Sequence, residues 1–457
     1  MQKNNKTTDT WIGNKKVLIL AMLAGGVASV SPSYAADQSS VEALENEIKA
    51  QRLVLDAQQL KLEQLEESVG ESSNPKNQVK GSLMIPGTKT SIKIGGWIKA
   101  TAIKDINNRS DDFVSWNEIP LDGPGKPADG HFRLHARDTR VNILTKSHLD
   151  NGGKLKTFFE LDFFEGGPGE FNAEQRLNNS FAPRMRHAFG ELSTGSSKFL
   201  AGQTWTNFMD IKSLSERVDF SSSPGSNFGR QTQLRYTRVI AKGNEFSVAL
   251  ENPESDFNIA PGVPGGPPRN AGKENDRYPD VTVRWQQSKP WGRLALSGVV
   301  RELNLEDPST GEKDSEIGWG LAANGVYKLG SMDKVKFQVS FGDGIGRYIK
   351  ELEGQSATYH SGGLSANEAL GAVINYQHKW NPNWRSNLVF GHAEVDNHES
   401  LSATDANKQI QSFHINTFWS PVKPVDVGLE YLYGKRKVEN GREGELERVV
   451  FAVKFKF

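Results

Sequence analysis

Hydrophobic and polar residues alternate one by one at the end of the chain, over residues 448–457. The odd positions from Val449 to Phe457 are all apolar, whereas the even positions include Arg448, Lys454 and Lys456. Because successive side chains of a β-strand point to opposite faces, this pattern predicts a strand with one apolar and one cationic face. An open edge of this kind invites aggregation, but in a closed barrel the apolar face meets lipid and the polar face meets water. A soluble sandwich strand that buries its apolar face is the alternative.

Similar alternating stretches recur from residue 89 onward and predict sixteen strands, the first at 89–103 and the last at 446–457. The connections between them alternate in length, and the long ones, which include 303–315 and 436–445, all fall at one end. An even number of antiparallel strands with long loops outside and tight turns in the periplasm is typical of bacterial outer-membrane barrels. The predicted fold is therefore all-β, a 16-stranded antiparallel transmembrane β-barrel in the outer membrane, with the N-terminus on the periplasmic side.

The chain before the barrel divides into three segments. Lys15 and Lys16 precede an apolar run that ends in small residues near Ala35, which predicts a signal peptide over residues 1–35. Residues 36–70 form a predicted periplasmic coiled-coil helix, residues 71–88 a Gly-, Ser- and Asn-containing linker, and residues 89–457 the barrel. The protein is therefore expected to be exported.

The coiled-coil prediction comes from an apolar repeat of seven residues. The predicted trimerisation seam consists of Val41, Leu44, Ile48, Leu55, Leu62, Leu65 and Val69. A narrow seam of this spacing is typical of helices that associate with one another. An amphipathic helix packed on its own domain is the alternative, although such a helix usually shows a wider apolar stripe.

Composition excludes several other classes of protein. The chain has no cysteine, so disulfide frameworks and thiolate metal sites are absent, and no cofactor or metal is expected. Lys and Arg together number 55, as do Asp and Glu, which gives no support for a nucleic-acid partner. A mean hydropathy of −0.56 resembles that of a soluble protein, because every second residue of a barrel strand is polar.

The parity of each strand predicts which side chains face the pore. Taking the apolar member of each alternating pair as lipid-facing gives an inner wall of arginines and carboxylates. The predicted pore-lining residues are Arg140, Arg184, Arg186, Arg235, Arg284, Arg293, Glu160 and Asp162. On the same parity Ala188 and Gly190 face inward and His187 outward, whereas Arg137 needs a β-bulge to face the pore. The arginines either attract anions by their field or simply pair with the carboxylates and brace the wall.

Several segments, taken in order, resemble the DcaP-like porin family. They are Ser91–Ala100 (SIKIGGWIKA), Arg137–Asn142 (RDTRVN), Arg186–Gly190 (RHAFG) and Gly202–Thr206 (GQTWT), preceded by the coiled coil. The resemblance covers the mature chain and implies a homotrimer of sixteen-stranded barrels that takes up small anionic solutes such as dicarboxylates. It also implies contact with outer-membrane lipid and lipopolysaccharide, and it adds Gln203 to the expected solute path.

In porins of this kind the third long loop folds into the barrel and narrows it. The resemblance implies the same for the loop after Thr206, whose charged residues are Asp210, Lys212, Glu216, Arg217 and Asp219. Mixed charge opposite a basic wall would set a transverse field across the pore. An exposed external loop is the alternative.

Other motifs are weak, and no enzyme is expected. Gly342–Gly346 resembles a phosphate-binding glycine run, but no helix pattern follows it. His131 and His135 lie four residues apart in a predicted strand, where that spacing forms no metal site. A barrel-type outer-membrane enzyme and a secreted β-rich binding protein with a trimerising stalk are the two alternative functions.

Overall fold

The computed structural model describes residues 46–61, 81–126, 129–165, 179, 181–263, 276–306, 311, 313–361 and 363–457. The chain divides into two compact units, Met1–Glu71 and Ser72–Phe457. In the first unit residues 46–61 form an α-helix, as the heptad pattern predicts, with Ile48 and Leu55 exposed. The predicted signal peptide and the seam residues Val41, Leu44, Leu62, Leu65 and Val69 lie outside the described residues.

No helix in the described ranges is long and apolar enough to cross a membrane.

The second unit is a closed antiparallel barrel of sixteen strands, which confirms the predicted fold. The strands are β1 Thr90–Asn107, β2 Phe132–His135 with Arg140–His148, β3 Lys154–Glu165, β4 Ala182–Thr194, β5 Ser197–Trp205, β6 Arg230–Ala241, β7 Asn244–Glu251, β8 Asp280–Lys289, β9 Gly292–Glu306, β10 Lys313–Leu329, β11 Asp333–Asp343, β12 Glu368–Asn381, β13 Trp384–Asp396, β14 Asn407–Trp419, β15 Val425–Val438 and β16 Glu443–Lys456. Each strand pairs with its sequence neighbours. Strand β1 also pairs with β16, with Ala100 opposite Val453, and this pairing closes the sheet.

Strand β2 is interrupted by residues 136–139, where the sequence predicts a bulge at Arg137. Thr101 of β1 lies opposite His135, and Trp97 lies opposite Arg140. Five steps along β2 therefore match four along β1, which leaves one extra residue on β2. The bulge buries Arg137, whose Nη1 lies 3.2 Å from Asp112 Oδ2.

The connections divide into a loop end and a turn end, as predicted. The loop end carries long connections such as 108–131, 206–229 and 344–367, whereas the turn end carries connections such as 195–196 and 242–243. Several connections at the loop end are shorter than expected, and two of them become short turns. The predicted loops 303–315 and 436–445 shrink to 307–312 and 439–442, because the flanking strands continue beyond the lipid-facing pattern.

Outward and inward side chains alternate along the strands. Large apolar side chains such as Val141, Leu234 and Phe451 are exposed on the outer face, where a membrane would cover them. On β16 Arg448, Val450 and Ala452 are buried inside, as the alternation of the terminal strand predicts.

Three loops from the loop end fold into the barrel and form a hydrophobic cluster inside it. Loop 108–131 contributes Trp116 and Ile119, loop 206–229 contributes Phe208 and Val218, and loop 344–367 contributes four residues, Ile345, Tyr348, Ile349 and Leu352. The cluster packs against inward residues of β9 to β16, among them Val299, Ala393 and Leu432. One side of the lumen is therefore filled by loops, and the open side is bordered by β2 to β6.

Glycines on the filled side allow this close packing. A Cβ at Gly434 of β15 would lie 2.3 Å from Cζ3 of Trp116, and one at Gly371 of β12 would lie 2.7 Å from the carbonyl oxygen of Gly225. A larger residue at either position would push the loops off the wall.

Candidate solute path

Three neighbouring strands bring arginines and carboxylates together on the open side of the lumen. Arg140 lies on β2, Glu160 and Asp162 on β3, and Arg184 and Arg186 on β4. These five side chains point inward, as strand parity predicts, and they contact one another. The structure thus assembles most of the expected inner wall in one place.

The contacts within this group are short and directional. Arg184 donates from Nε and Nη2 to the two carboxylate oxygens of Asp162 at 3.0 and 2.9 Å. Arg186 bridges both acids, with Nε 2.8 Å from Glu160 Oε1 and Nη1 2.6 Å from Asp162 Oδ2. Arg140 Nη1 lies 3.4 Å from Glu160 Oε1. The donors of a guanidinium group match the two oxygens of a carboxylate. Part of the arginine charge is therefore used in ion pairs that stabilise the wall.

A bulge in β4 places Arg186 and His187 on the same side of the sheet. Glu160 lies opposite His187, but the next residue, Leu161, lies opposite Met185, so Arg186 is the extra residue. His187 is therefore buried inside, with Nδ1 3.0 Å from Thr204 Oγ1.

The same bulge reverses the parity of the rest of β4. Ala188 lies opposite the outward Phe159, and Gly190 lies opposite Thr157. The predicted outward His187 and inward Ala188 and Gly190 are wrong, because simple alternation skips the extra residue.

Arg230, the first residue of β6, joins the cluster although sequence parity did not select it. Its guanidinium carbon lies 5.0 Å from the ring centre of Trp205 and 6.0 Å from that of Phe228. No carboxylate pairs with it among the described residues, and its Nη1 is buried without an acceptor there. Parity missed Arg230 because a side chain at the end of a strand need not follow the alternation.

We call Arg140, Arg184, Arg186 and Arg230, with Glu160 and Asp162, the arginine cluster. Four guanidinium groups face two carboxylates in it, so the cluster carries a net charge of +2. The side chain of Arg184 is 26% exposed and that of Arg140 is 18% exposed, whereas Arg186 is buried. The surplus positive charge thus reaches the open lumen through Arg140 and Arg184.

Three other predicted arginines point inward but serve a different contact. Arg293 donates from Nε to Asp210 Oδ2 at 2.6 Å, and Arg284 Nη1 lies 2.5 Å from the carbonyl oxygen of Met209. Arg235 Nη2 lies 2.6 Å from the carbonyl oxygen of Trp205. These arginines hold the chain where it leaves β5 and are not part of the arginine cluster.

Gln203 faces away from the expected path. It lies opposite Ala188 and Thr232 in the two neighbouring strands, both on the outer face, and its amide donates to the carbonyl oxygen of Met185 at 3.2 Å. The inward orientation expected for Gln203 is wrong, because it is Gly202 and Thr204 that share the inner side with Gln233 and Gln231.

The loop 206–229, which we call the inner loop, lies inside the barrel rather than outside it. Gln338 Nε2 donates to its Ser213 Oγ at 2.9 Å, and Asn416 Nδ2 donates to the carbonyl oxygen of Glu216 at 3.1 Å. Further along, the ring of Phe220 lies 5.4 Å from the guanidinium carbon of Arg140 and 5.6 Å from that of Arg186. The inner loop therefore crosses the lumen and meets the arginine cluster.

Several charged residues of the inner loop form ion pairs or hydrogen bonds with the barrel wall. Glu216 accepts from Arg385 Nη2 at 2.8 Å and from Gln377 Nε2 at 2.5 Å, and Asp210 pairs with Arg293. Burial opposes the ionisation of Glu216, but the hydrogen bonds and charge of Arg385 outweigh it and hold the pKa below its usual value. Lys212 is exposed.

Arg217 is half-buried and Asp219 is buried in the inner loop. Arg217 Nη1 donates to Ser223 Oγ at 3.2 Å, and Asp219 accepts from the amide of Ser221 at 2.8 Å. Burial lowers the pKa of Arg217 and raises that of Asp219, so both lose part of their preference for the charged form. The field of the inner loop therefore comes mainly from its more exposed groups.

A buried Ser–His–Glu trio holds the inner loop to β14 and β15. His414 Nε2 lies 3.0 Å from Ser412 Oγ, and His414 Nδ1 lies 2.8 Å from Glu430 Oε1. Glu430 also accepts from the amide of Val218 at 2.5 Å. The order matches a nucleophile, base and carboxylate, but the three side chains are buried and Trp116 packs edge-on against His414. In this arrangement no substrate could reach the serine, and the trio anchors the inner loop.

Solved outer-membrane channels share this fold. The outer membrane channel DcaP of Acinetobacter baumannii has 24% sequence identity, a TM-score of 0.66, and covers 80% of this chain and 97% of its own. The anion-selective porin from Comamonas acidovorans has 9% identity and a TM-score of 0.52, over 80% of this chain and 100% of its own. OmpT of Vibrio cholerae has 9% identity and a TM-score of 0.51, over 82% of this chain and 100% of its own. At such identities these likenesses show the fold.

Among curated proteins no sequence matches this chain. The family model described as DcaP outer membrane protein, in contrast, matches residues 35–457, which is the whole of the predicted mature chain. Because that match spans the arginine cluster, the inner loop and both ends of the barrel, the chain belongs to the DcaP outer membrane protein family and is a β-barrel porin of the bacterial outer membrane.

Proposed function

We propose that this porin is a water-filled channel with a preference for small anionic solutes such as dicarboxylates, which cross by passive diffusion between the arginine cluster and the inner loop. The observation that carries the proposal is the surplus of two positive charges in the arginine cluster. In a narrow pore such a surplus raises the local concentration of anions.

The geometry of the open side supports this function. Arg184 and Arg140 are partly exposed to the lumen, and Arg230 has a guanidinium group that no carboxylate of the described residues neutralises. A dicarboxylate has two planar ends that match guanidinium forks, and the binding stays weak because Arg184 and Arg140 already donate to Asp162 and Glu160. The similar fold of the anion-selective porin from Comamonas acidovorans agrees with the proposal.

The inner loop would form the constriction. Its Phe220 lies across from Arg140 and Arg186, so a solute that passes the cluster passes this ring as well. Of its charged residues, the exposed Lys212 and the partly exposed Glu216 would contribute most to the field, whereas Asp210, Arg217 and Asp219 shape the loop.

The assembly that we propose is a homotrimer with its N-terminal helix in the periplasm. The heptad repeat over residues 41–69 supports association, and residues 46–61 are helical. The exposed apolar band of the barrel would contact outer-membrane lipid, and the polar residues above it would contact lipopolysaccharide.

A channel without catalytic activity fits the site better than an enzyme. The Ser412–His414–Glu430 trio has the right order of groups, but its burial under Trp116 closes it to substrates. If the purified protein hydrolysed lipids, and if Ser412→Ala removed that activity, the protein would be an enzyme and this part of the proposal would be wrong.

Ion selectivity tests the proposal directly. Reversal potentials measured across a planar bilayer in a salt gradient should indicate anion preference for the native porin. Arg230→Gln should reduce the anion-to-cation permeability ratio roughly twofold, because one charge about 6 Å from an ion in water is worth about 0.7 kcal/mol before screening. This variant removes no hydrogen bond from a carboxylate, whereas a variant of Arg184 would remove two from Asp162.

The matched control is Arg238→Gln, since Arg238 lies on the same strand but faces outward and is exposed. It should leave the reversal potential unchanged. A cation-selective native pore, or an Arg230→Gln pore as anion-selective as the native one, would show that the arginines only brace the wall.

A further inference from the structure

Cationic side chains of neighbouring strands lie directly opposite one another at the turn end of the barrel. The register pairs Lys99 with Lys454, Lys146 with Lys156, Lys328 with Lys334, and Lys379 with Arg385. All eight share the parity of buried inward residues, as Lys99 does with Thr101 and Lys334 with Gln338. We call these four pairs the opposed cations.

This arrangement is unfavourable unless negative charge is supplied from elsewhere. Residues directly opposite on antiparallel strands have Cβ atoms about 4.5–5.5 Å apart, so like charges there destabilise the sheet. Lys99, Lys454 and Arg385 each contact a carboxylate of the protein. The other five opposed cations form no ion pair within the described ranges; they are Lys146, Lys156, Lys328, Lys334 and Lys379.

The pair formed by Lys328 and Lys334 has no acid partner in the described part of the chain. Asp333, next to Lys334 in the chain, points to the outer face, where it accepts from a tyrosine hydroxyl at 2.9 Å. Lys336, the next inward residue of β11, donates to the carbonyl oxygen of Leu214 at 2.6 Å. This part of the inner wall therefore carries three positive charges that no ion pair with a described carboxylate compensates.

The pair formed by Lys146 and Lys156 also has a surplus of positive charge. Lys156 Nζ lies 4.9 Å from the ring centre of Phe189, and a ring face attracts a cation without cancelling its charge. Glu191 lies opposite Lys156 on β4, but no ion pair joins these two described side chains. One acid therefore faces two lysines at this position of the wall.

We propose that the opposed cations form a second anion site, at the turn end of the lumen, for small anions that carry two or more negative charges. A divalent anion can bridge both ammonium groups of a pair, whereas a monovalent anion neutralises only one of them. Lysine binds anions as a point charge on a flexible stem, in contrast to the planar fork of arginine. The opposed cations therefore recognise the number of charges, whereas the arginine cluster recognises planar carboxylates.

For a solute that enters at the loop end, this site lies beyond the arginine cluster. A multivalent anion that leaves the cluster, whose net charge is +2, then meets lysines without ion pairs, and their field draws it toward the turn end. The inference rests on the proposed function, because it requires a lumen open to anions. It adds a selection of solutes by their number of charges.

The test compares sulfate with methanesulfonate, two tetrahedral anions that differ by one charge, on the full-length porin in detergent at equal ionic strength. Millimolar sulfate should raise the unfolding temperature of the native porin more than methanesulfonate does, because a ligand that binds only the folded barrel stabilises it. At least about half of this sulfate effect should be lost when two pairs are removed. The variant that removes them combines Lys146→Gln, Lys156→Gln, Lys328→Gln and Lys334→Gln. Without sulfate this variant should unfold at a higher temperature than the native porin, since the repulsion is gone; lysines that merely supported the wall would give a lower temperature.

The matched control removes four exposed cations from the same end of the barrel, none of which belongs to an opposed pair. It combines Arg238→Gln, Lys242→Gln, Lys289→Gln and Lys423→Gln and should keep the full sulfate effect. Heat-modifiable migration on gels verifies folding, and variants of each pair alone replace the fourfold variant should it fail to fold.

Two results would overturn the inference while leaving the anion preference measured in the bilayer intact. One is equal stabilisation of the native porin by sulfate and by methanesulfonate, and the other is an undiminished sulfate effect in the folded pair variants. A cation-selective native pore would instead refute the proposed function, and this inference with it.

Discussion

At the scale of single residues, the arginines of the inner wall share an arrangement with aromatic rings. The guanidinium carbon of Arg140 lies 4.5 Å from the ring centre of Trp97, that of Arg230 lies 5.0 Å from Trp205, and that of Arg137 lies 4.3 Å from Phe181. A ring face attracts a cation without cancelling its charge. The rings can therefore fix the side chains of the wall while leaving positive charge available to a passing anion, which a carboxylate partner would not do.

The contact between Glu216 and Arg385 should make the docking of the inner loop depend on pH. Because the folded-state pKa of Glu216 is lowered, its stabilising effect is present above the ordinary carboxyl pKa of about 4.3 and is lost as the pH falls through the lowered value. We expect Glu216→Gln to reduce the free energy of unfolding by about 1 kcal/mol at neutral pH, since the pair is partly exposed.

Urea unfolding at neutral pH and in strong acid would measure this effect. The difference between Glu216→Gln and the native protein should disappear in acid, where the native carboxyl is also neutral. Lys212→Gln in the same loop is the control and should have little effect at either pH, because Lys212 is exposed. An equal loss of stability at both pH values would mean that the contact between Glu216 and Arg385 stabilises the protein by packing and not by charge.

At the scale of elements, the barrel wall has two different halves. Arginines of β2, β4 and β6 point into the open lumen, whereas β9 to β16 contact the packed loops through apolar residues such as Val299 and Leu432 and through polar residues such as Gln338 and His414. In the second half Gly434 leaves room for Trp116 and Gly371 leaves room for the inner loop. This division sets where the water path can run.

Replacing Gly434 should disturb that packing. Gly434→Ala places a Cβ 2.3 Å from a ring carbon of the buried Trp116, so the ring must move and its hydrogen bond to the carbonyl oxygen of Ser222 is strained. We expect a loss of about 1–3 kcal/mol in unfolding free energy, as is usual for an overpacked core, together with faster proteolysis of loop 108–131.

The matched control for this change is Gly190→Ala on β4. A Cβ at Gly190 meets nothing within 4 Å on the outer face, so this variant should unfold like the native protein. If Gly434→Ala and Gly190→Ala were equally stable and equally resistant to protease, Trp116 would not be packed tightly against Gly434.

The sequence predicted the elements better than the loops. Strict alternation located all sixteen strands and oriented Arg140, Glu160 and Asp162, because lipid selects apolar residues on one face of each strand. It failed for His187, since the extra residue in β4 shifts parity without changing composition. Gln203 was expected in the path from the family resemblance and not from alternation, and it lies on the outer face.

The family resemblance implied that the inner loop enters the barrel, but nothing in the sequence analysis predicted the same for loops 108–131 and 344–367, although loop 344–367 carries a signal. Ile345, Tyr348, Ile349 and Leu352 follow one another within a connection that alternation assigned to an external loop. So many large apolar residues in a water-exposed loop would be costly, which indicates burial. Alternation says nothing about them because it describes strands alone.

At the scale of the whole molecule, the net charge of the chain does not show how positive and negative side chains are distributed around the pore. Lys and Arg equal Asp and Glu in number, so the chain is neutral overall. The arginine cluster nevertheless carries a net charge of +2, because its four arginines face only two carboxylates. The field within the pore, and not the total charge, therefore governs which ions the channel prefers.

The last residue completes the closure of the barrel. The amide of Phe457 donates to the carbonyl oxygen of Gly96 at 3.2 Å, where β16 meets β1, and its ring is exposed on the outer face as an interfacial anchor. We expect deletion of Phe457 to lower the yield of folded barrel severalfold, measured by heat-modifiable migration on gels. Lys456→Ala should have a small effect, because Lys454 remains 3.2 Å from Asp426, the acid that Lys456 contacts. Phe457→Tyr should restore the yield, since it keeps both the amide and the ring. Equal yields from the deletion and from Lys456→Ala would mean that the barrel closes without its terminal aromatic residue.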